Sequence, residues 1–183
     1  MKYKKVLIVL ALLLATFLLY CYNDSRKKDM YIVDIQVFDK DGNELEGQFK
    51  DYNTCLKEDD DYKTNSAAPV INFYCVTVKE NEAYVVKMYF KSAKHYTLTK
   101  LELSNSIYGD YPYIECTDIV KDDDTFIATL YIDKVTKENK IYKVINWYQG
   151  ETKHYFTEMG SNTYDKGVYF YLTDQERLVC KKI

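Results

Sequence analysis

Beyond residue 30 the chain alternates between apolar and polar positions almost without a break. Tyr84, Val86, Met88 and Phe90 share one face of an extended strand, with Val85, Lys87, Tyr89 and Lys91 on the other. Phe126, Ala128, Leu130 and Ile132 oppose Ile127, Thr129 and Tyr131 in the same way, and Val168, Phe170 and Leu172 oppose Tyr169 and Tyr171. A period of two marks half-buried strands, and Tyr, Val, Ile, Phe and Thr are the side chains that fit a pleated surface. Polar breaks separate the runs at Asp39–Asn43, Lys79–Glu82, Lys121–Asp124, Thr136–Asn139 and Asp174–Glu176. The spacing predicts about ten strands, over 31–38, 43–49, 70–79, 83–91, 96–104, 112–119, 125–133, 140–148 and 152–157, with a final hairpin across 167–182. Outside the leader no window of helical length reads as an amphipathic helix. The stretch 51–68, with the acidic run Lys57–Asp61, reads as a surface loop or linker.

The first thirty residues follow a different rule. Met1–Lys5 is basic, residues 6–22 are uncharged and largely apolar, and Arg26-Lys27-Lys28 follow. A basic leader ahead of an apolar run is an export signal, which puts the body outside the cytoplasm. At ~1.5 Å per residue the seventeen-residue run spans roughly 25 Å as a helix, against a hydrocarbon core of ~30 Å. Tyr20 and Tyr22 suit the headgroup interface. The primary expectation is a single-pass anchor through residues 6–22 with an extracytoplasmic C-terminal body. Two alternatives are a lipoprotein acylated at Cys21, where bulky Tyr20 stands in place of the usual small residue, and a cleaved secretory signal. The resulting division is 1–30 as signal or anchor, 31–69 as an N-terminal hairpin and acidic loop, 70–157 as the sandwich core, and 158–183 as a C-terminal hairpin.

Phe126–Asp133, the break at 134–140 and the run Ile141-Tyr142-Lys143-Val144-Ile145-Asn146-Trp147 together resemble part of an immunoglobulin-like or fibronectin type III-like sandwich. The resemblance covers 70–157 and implies an all-β, antiparallel, Ig-like fold. It further implies that Tyr142, opening a strand after a corner, bonds back to that corner through its hydroxyl. Val144 stands where antibody-type domains place their second inter-sheet Cys, so that disulfide is missing.

Charge narrows the partners. The chain carries −3, and its leader holds six basic and two acidic residues, leaving −7 for residues 31–183. An acidic body without a basic stripe excludes nucleic acid as a partner class. No Gly-x-Ser-x-Gly or Ser-x-x-Lys occurs, and six scattered glycines provide no phosphate-cradling loop. No cofactor, metal site or catalytic set is therefore expected. His95 and His154 each stand alone beside a tyrosine and read as surface strand residues, lacking the clustering a zinc site requires. Asp39-Lys40-Asp41-Gly42-Asn43 starts like a calcium loop, but its glycine comes two positions early and Lys50 occupies the twelfth position. A hairpin turn accounts for it.

Four cysteines follow the leader: Cys55, Cys75, Cys116 and Cys180. In an exported domain they permit two disulfides in three connectivities, or else buried thiols. Cys75 shares a face with Ile71 and Phe73 and is expected to be buried. Tyrosine is in excess, 20 in the chain. Tyr108, Tyr111 and Tyr113 flank Gly109 and Pro112, and Trp147-Tyr148 precede Gly150. Aromatic rings at loop edges bind sugars or proteins. Strict alternation turns Trp147 inward with Ile145 and Ile141, leaving Tyr108, Tyr111, Tyr113 and Tyr148 as candidate binding residues. The first functional expectation is a non-enzymatic, membrane-anchored binding module for an envelope polysaccharide or protein. The alternatives are a structural accessory subunit of a membrane complex and a small exported hydrolase with a non-local carboxylate pair.

Overall fold

The computed structural model describes residues 12–21, 30–51, 54–55, 71–94, 96–105, 113–156 and 164–173. Twelve strands occur among them: β1 (Tyr31–Phe38), β2 (Glu44–Leu45), β3 (Gly47–Asp51), β4 (Ile71–Lys79), β5 (Tyr84–Lys91), β6 (Lys100–Ser104), β7 (Ile114–Cys116), β8 (Ile119–Asp122), β9 (Thr125–Ile132), β10 (Ile141–Gln149), β11 (Thr152–Tyr155) and β12 (Tyr164–Thr173). They form two sheets. One runs β2-β1-β5-β9-β8; the other runs β3-β4-β12-β10-β6-β7, with β11 paired to β10.

Alternation builds the core. The inward positions of β5 and β9 are those read from the chain: Tyr84, Val86, Met88 and Phe90 against Phe126, Ala128, Leu130 and Ile132, all buried. Opposite them stand Leu101 and Leu103 of β6, Tyr142, Val144 and Trp147 of β10, and Val168 and Phe170 of β12. Burying a large apolar side chain contributes about 1.5–3 kcal/mol, so this shared interior is what holds the two sheets face to face. β12 lies between β4 and β10, and Val168, Tyr169 and Phe170 are buried on both of its faces.

The Asp39–Asn43 run is a hairpin turn joining β1 to β2. Asp39 carboxylate accepts the amides of Asp41 and Asn43, both at 2.9 Å, and Gly42 supplies the left-handed φ of 83°. Hydrogen bonds, first from the Asn43 side chain and then from its backbone, hold the Asp39 carboxyl below its usual range.

Several sequence expectations change. The sandwich is not wholly antiparallel, because β12 and β4 pair in parallel from Tyr164↔Ile71 to Thr173↔Lys79. The predicted strand 43–49 divides at Glu46, its first half pairing with β1 and its second with β4. The predicted strand 112–119 likewise divides, β7 joining β6 in one sheet and β8 joining β9 in the other. Tyr142 is buried and packs edge-on to Phe170 at 6.0 Å, but its hydroxyl makes no hydrogen bond back to the corner among the described residues. Burial alone pushes that phenol up to about 12. Cys55, Cys75 and Cys116 are free thiols, while Cys180 lies outside the described residues.

The described part of the leader is a helical run over 12–21 with exposed apolar side chains, Leu12, Leu13, Phe17, Leu18 and Leu19 among them. No helix among the described residues is long and apolar enough to cross a membrane. Positions 6–11 and 22 of the expected span, and the flanking Arg26-Lys27-Lys28, lie outside the described residues, as do the acidic loop 57–61 and residues 174–182 of the final hairpin.

Candidate functional site

The most organised polar surface lies on the outer face of the seven-stranded sheet, where β7, β6, β10 and β11 run side by side. Register places its members in two rows. One row is Lys100, Tyr148 and Lys153, since Tyr148 of β10 is the cross-strand partner of both lysines. The other is Glu115, Glu102, Asn146 and Tyr155, paired in turn across the four strands. Side chains directly opposite in adjacent strands are close enough to interact, and the contacts follow this grid.

Glu102 is the hub. Only 8% of it is exposed, and its carboxylate accepts hydrogen bonds from Asn146 Nδ2 at 2.7 Å, Lys153 Nζ at 2.9 Å and the Tyr148 hydroxyl at 2.5 Å. Its like-charged neighbour Glu115 is drawn away by Lys100, whose Nζ lies 3.0 Å from Glu115 and 3.9 Å from Glu102. Burial pushes the Glu102 carboxyl up, but the bonds from Tyr148, Lys153 and Asn146 outweigh it and leave the group below its ordinary value. The same contacts raise their partners. Tyr148 is raised chiefly by its bond to Glu102, Lys153 by its bond to Glu102, and Lys100 by its bond to Glu115. Glu102 is thus a fixed anion near neutral pH, with its oxygens already engaged. It anchors the face.

Around this hub lysine ammonium groups lie over tyrosine rings. Lys100 Nζ is 4.1 Å from the Tyr148 centroid, and Lys153 Nζ is 5.8 Å from Tyr148 and 5.6 Å from Tyr113. Such contacts fix ring and ammonium together, cation–π attraction adding to the ion pairs. Tyr155, 70% exposed, completes the aromatic edge of the patch. Asn146 is 1% exposed, and its Oδ1 has no hydrogen-bond partner among the described residues.

The structure therefore brings together two of the four sequence candidates, Tyr113 and Tyr148, on either side of Lys153. Tyr108 and Tyr111 lie outside the described residues. Trp147 faces the core at 1% exposure, though not in the company alternation gave it. A register shift between Val144 and Asn146 puts Trp147 on the face of Tyr142 and Val144, while Ile141 packs on the opposite face of the sheet. His154, expected at the surface, stacks on Trp147 with centroids 4.1 Å apart and planes 11° from parallel, beside Tyr96. Its Nε2 is buried without a hydrogen-bond partner among the described residues. His95 lies outside the described residues. Glu102, Asn146, Lys100, Lys153 and Tyr155 escaped the sequence reading, because each looks like an ordinary outward strand residue until residues 44 to 51 positions apart are placed side by side. Glu102 between Leu101 and Leu103 carried the only local signal, and it was no more than alternation.

Compared with family models, with curated proteins and with solved structures, the chain finds no match.

Proposed function

We propose that the protein is a non-catalytic binding module of the cell surface, and that the face built by Tyr113, Tyr148, Tyr155, Lys100 and Lys153 contacts an envelope polysaccharide. The observation that carries this reading is the buried Glu102 hub, which holds tyrosine rings and ammonium groups in a fixed two-row array. Rigid rings flanked by hydrogen-bond donors suit sugar rings, which present apolar faces edged with hydroxyls. Glu102 argues against the hydrolase alternative at this site: a carboxylate held ionised by three donors lacks the raised pKa a glycosidic acid requires.

The strand order supports an Ig-like reading of the module. Across one sheet β1, β5, β9 and β8 correspond to the A, B, E and D places, and β6, β10 and β12 of the other to C, F and G, with β7 at the C′ edge. Export and anchoring rest on the leader, whose leucines and Phe17 stand exposed on the helical run 12–21. The expected form is the full-length chain in a membrane fraction that resists salt and alkaline carbonate. A trimmed form in the medium would instead mark the leader as a cleaved signal.

Ligand class is tested by exposing the detergent-solubilised chain to a glycan array and, separately, to solubilised membranes for co-purification. Glycan hits support the polysaccharide reading. A stoichiometric protein partner without glycan hits favours an accessory subunit.

A further inference from the structure

Away from the tyrosine–lysine patch, the outer face of the same sheet holds a second apolar cluster of Cys55, Phe73, Cys75, Ile141 and Tyr169, with Tyr171 packed against it. Cys75 projects from β4. Cys55 arrives in the short turn after β3, which Asp51 fixes by accepting the backbone amide and the hydroxyl of Thr54. Both sulfurs are buried, and each lies against a backbone carbonyl: Cys55 Sγ is 3.8 Å from Lys50 O, and Cys75 Sγ is 3.5 Å from Phe73 O. Lys50 and Phe73 are direct cross-strand partners, so the two thiols are anchored at one point of the β3–β4 ladder. Both belong to the same small cluster, and Tyr171 packs against it. Cys116 belongs elsewhere. It sits in the core between the sheets, with its Sγ 3.3 Å from Thr129 O.

We propose that Cys55 and Cys75 are a disulfide-forming pair, which closes the loop between the β3 turn and β4, and that Cys116 stays a thiol. Each sulfur lies on the carbonyl of one of two directly paired residues in the same buried cluster, which sets the two cysteines as neighbours for a bond of ~2.05 Å. The pair is also polarised. The Cys55 thiol is held below its ordinary value, first by the bond from Cys75 and further by Tyr171 and the Lys50 charge, against the effect of burial. Cys75 is pushed up by its bond with Cys55 and by burial. Cys55, carried on the short turn after β3, is assigned as the attacking thiol, and Cys75, held in β4, as the resolving one.

The oxidant is a small-molecule disulfide. Cys55 thiolate attacks one of its sulfurs, forming a mixed disulfide and expelling one thiolate. Cys75 then gives its proton to that thiolate and attacks Cys55 Sγ, expelling the second. The pair loses two electrons and two protons in all, and the oxidant leaves as two thiols. Because both sulfurs are buried, exchange takes place during folding or in a local opening.

The test is a thiol map of the reduced, full-length chain in non-ionic detergent, equilibrated with oxidised glutathione. Free thiols are alkylated under native conditions, the chain is unfolded, and the remaining thiols are alkylated with a second reagent before digestion and mass spectrometry without reduction. The expected product is a Cys55 peptide joined to a Cys75 peptide, two hydrogens lighter than their sum, with Cys116 taking only the second reagent. Recovery of Cys55 and Cys75 as alkylated thiols, or of either joined to Cys116, Cys180 or a second chain, overturns the proposal. In Cys75→Ser, Cys55 is expected to stop at the mixed disulfide with glutathione. Capture of Cys55 by another cysteine of the chain as fast as in the wild type would show that Cys75 is not its resolving partner. None of these outcomes depends on what the tyrosine–lysine face binds.

Discussion

Replacing Glu102 with alanine isolates the hub of the outer face. The change removes the acceptor for Asn146 Nδ2, Lys153 Nζ and the Tyr148 hydroxyl at once. Lys153 and Tyr148 reach solvent, and water takes over their bonds. Asn146 does not: it is 1% exposed, and its Oδ1 is already unpartnered among the described residues, so the amide is left buried with none of them bonded to either atom. An orphaned buried polar group costs about 1–3 kcal/mol, and the lost glutamate stem adds about 1 kcal/mol of packing, giving about 2–4 kcal/mol in all. Urea unfolding of the full-length chain in non-ionic detergent, followed by tryptophan fluorescence, measures it. The double variant Glu102→Ala, Asn146→Ala removes the orphan along with its partner, so the two changes are expected to be non-additive by about 1–2 kcal/mol. The pH dependence has a definite sign. The Glu102 carboxyl titrates below its ordinary 4.5 in the fold, so its contribution is complete above about that pH and is lost as pH falls through the lower folded value. The stability gap between wild type and Glu102→Gln is therefore expected to close on acidification and to hold steady between pH 6 and 8. A Glu102→Ala loss within ~0.5 kcal/mol of zero, the range of ordinary surface changes, or strict additivity with Asn146→Ala, would refute the reasoning.

Other predictions follow from the same packing. Trp147→Ala should cost about 3–5 kcal/mol and lower the melting temperature, because the ring lies in the core against His154 and Tyr96. Gly167→Ala should abolish cooperative melting by circular dichroism, since a Cβ there would stand 1.8 Å from the Tyr142 carbonyl oxygen, a backbone atom held by the β10–β12 pairing. Oxidation of Cys55 and Cys75 should raise unfolding stability by about 3 kcal/mol, the loop-closure value for a loop of roughly twenty residues, and Cys75→Ser should remove that gain in paired oxidised and reduced urea titrations.

Strand positions were legible in the chain because half-burial writes itself as a period of two, and the inward residues of β5 and β9 could be read directly. What alternation hides is any place where its phase or its sheet changes. At Glu46 and at Thr117-Asp118 the chain passes from one sheet to the other within a residue or two, so one predicted strand becomes two. Register shifts after Ile32 and Val144 reverse the phase, exposing Val33 and turning Trp147 inward on the parity opposite to Tyr142 and Val144. Parallel pairing of β4 with β12 joins positions about 94 apart and leaves no local trace. The site was legible only in part for the same reason. Tyr113 and Tyr148 stood out as rings near turns, whereas Glu102 gains its role from Asn146, Tyr148 and Lys153 across the sheet.

The central claim, that the tyrosine–lysine face is a polysaccharide-binding surface, is tested most directly by retention on the envelope polysaccharide itself. The full-length chain in non-ionic detergent, wild type and Tyr113→Ala with Lys100→Ala, is passed over immobilised polysaccharide, and the melting temperature of each form is recorded alongside. Stacking and cation–π contacts are worth on the order of 1 kcal/mol each at a desolvated surface, so the double variant is expected to lose at least tenfold in affinity while melting within a few degrees of the wild type. Equal retention of both forms, or no retention of the wild type, would contradict the account.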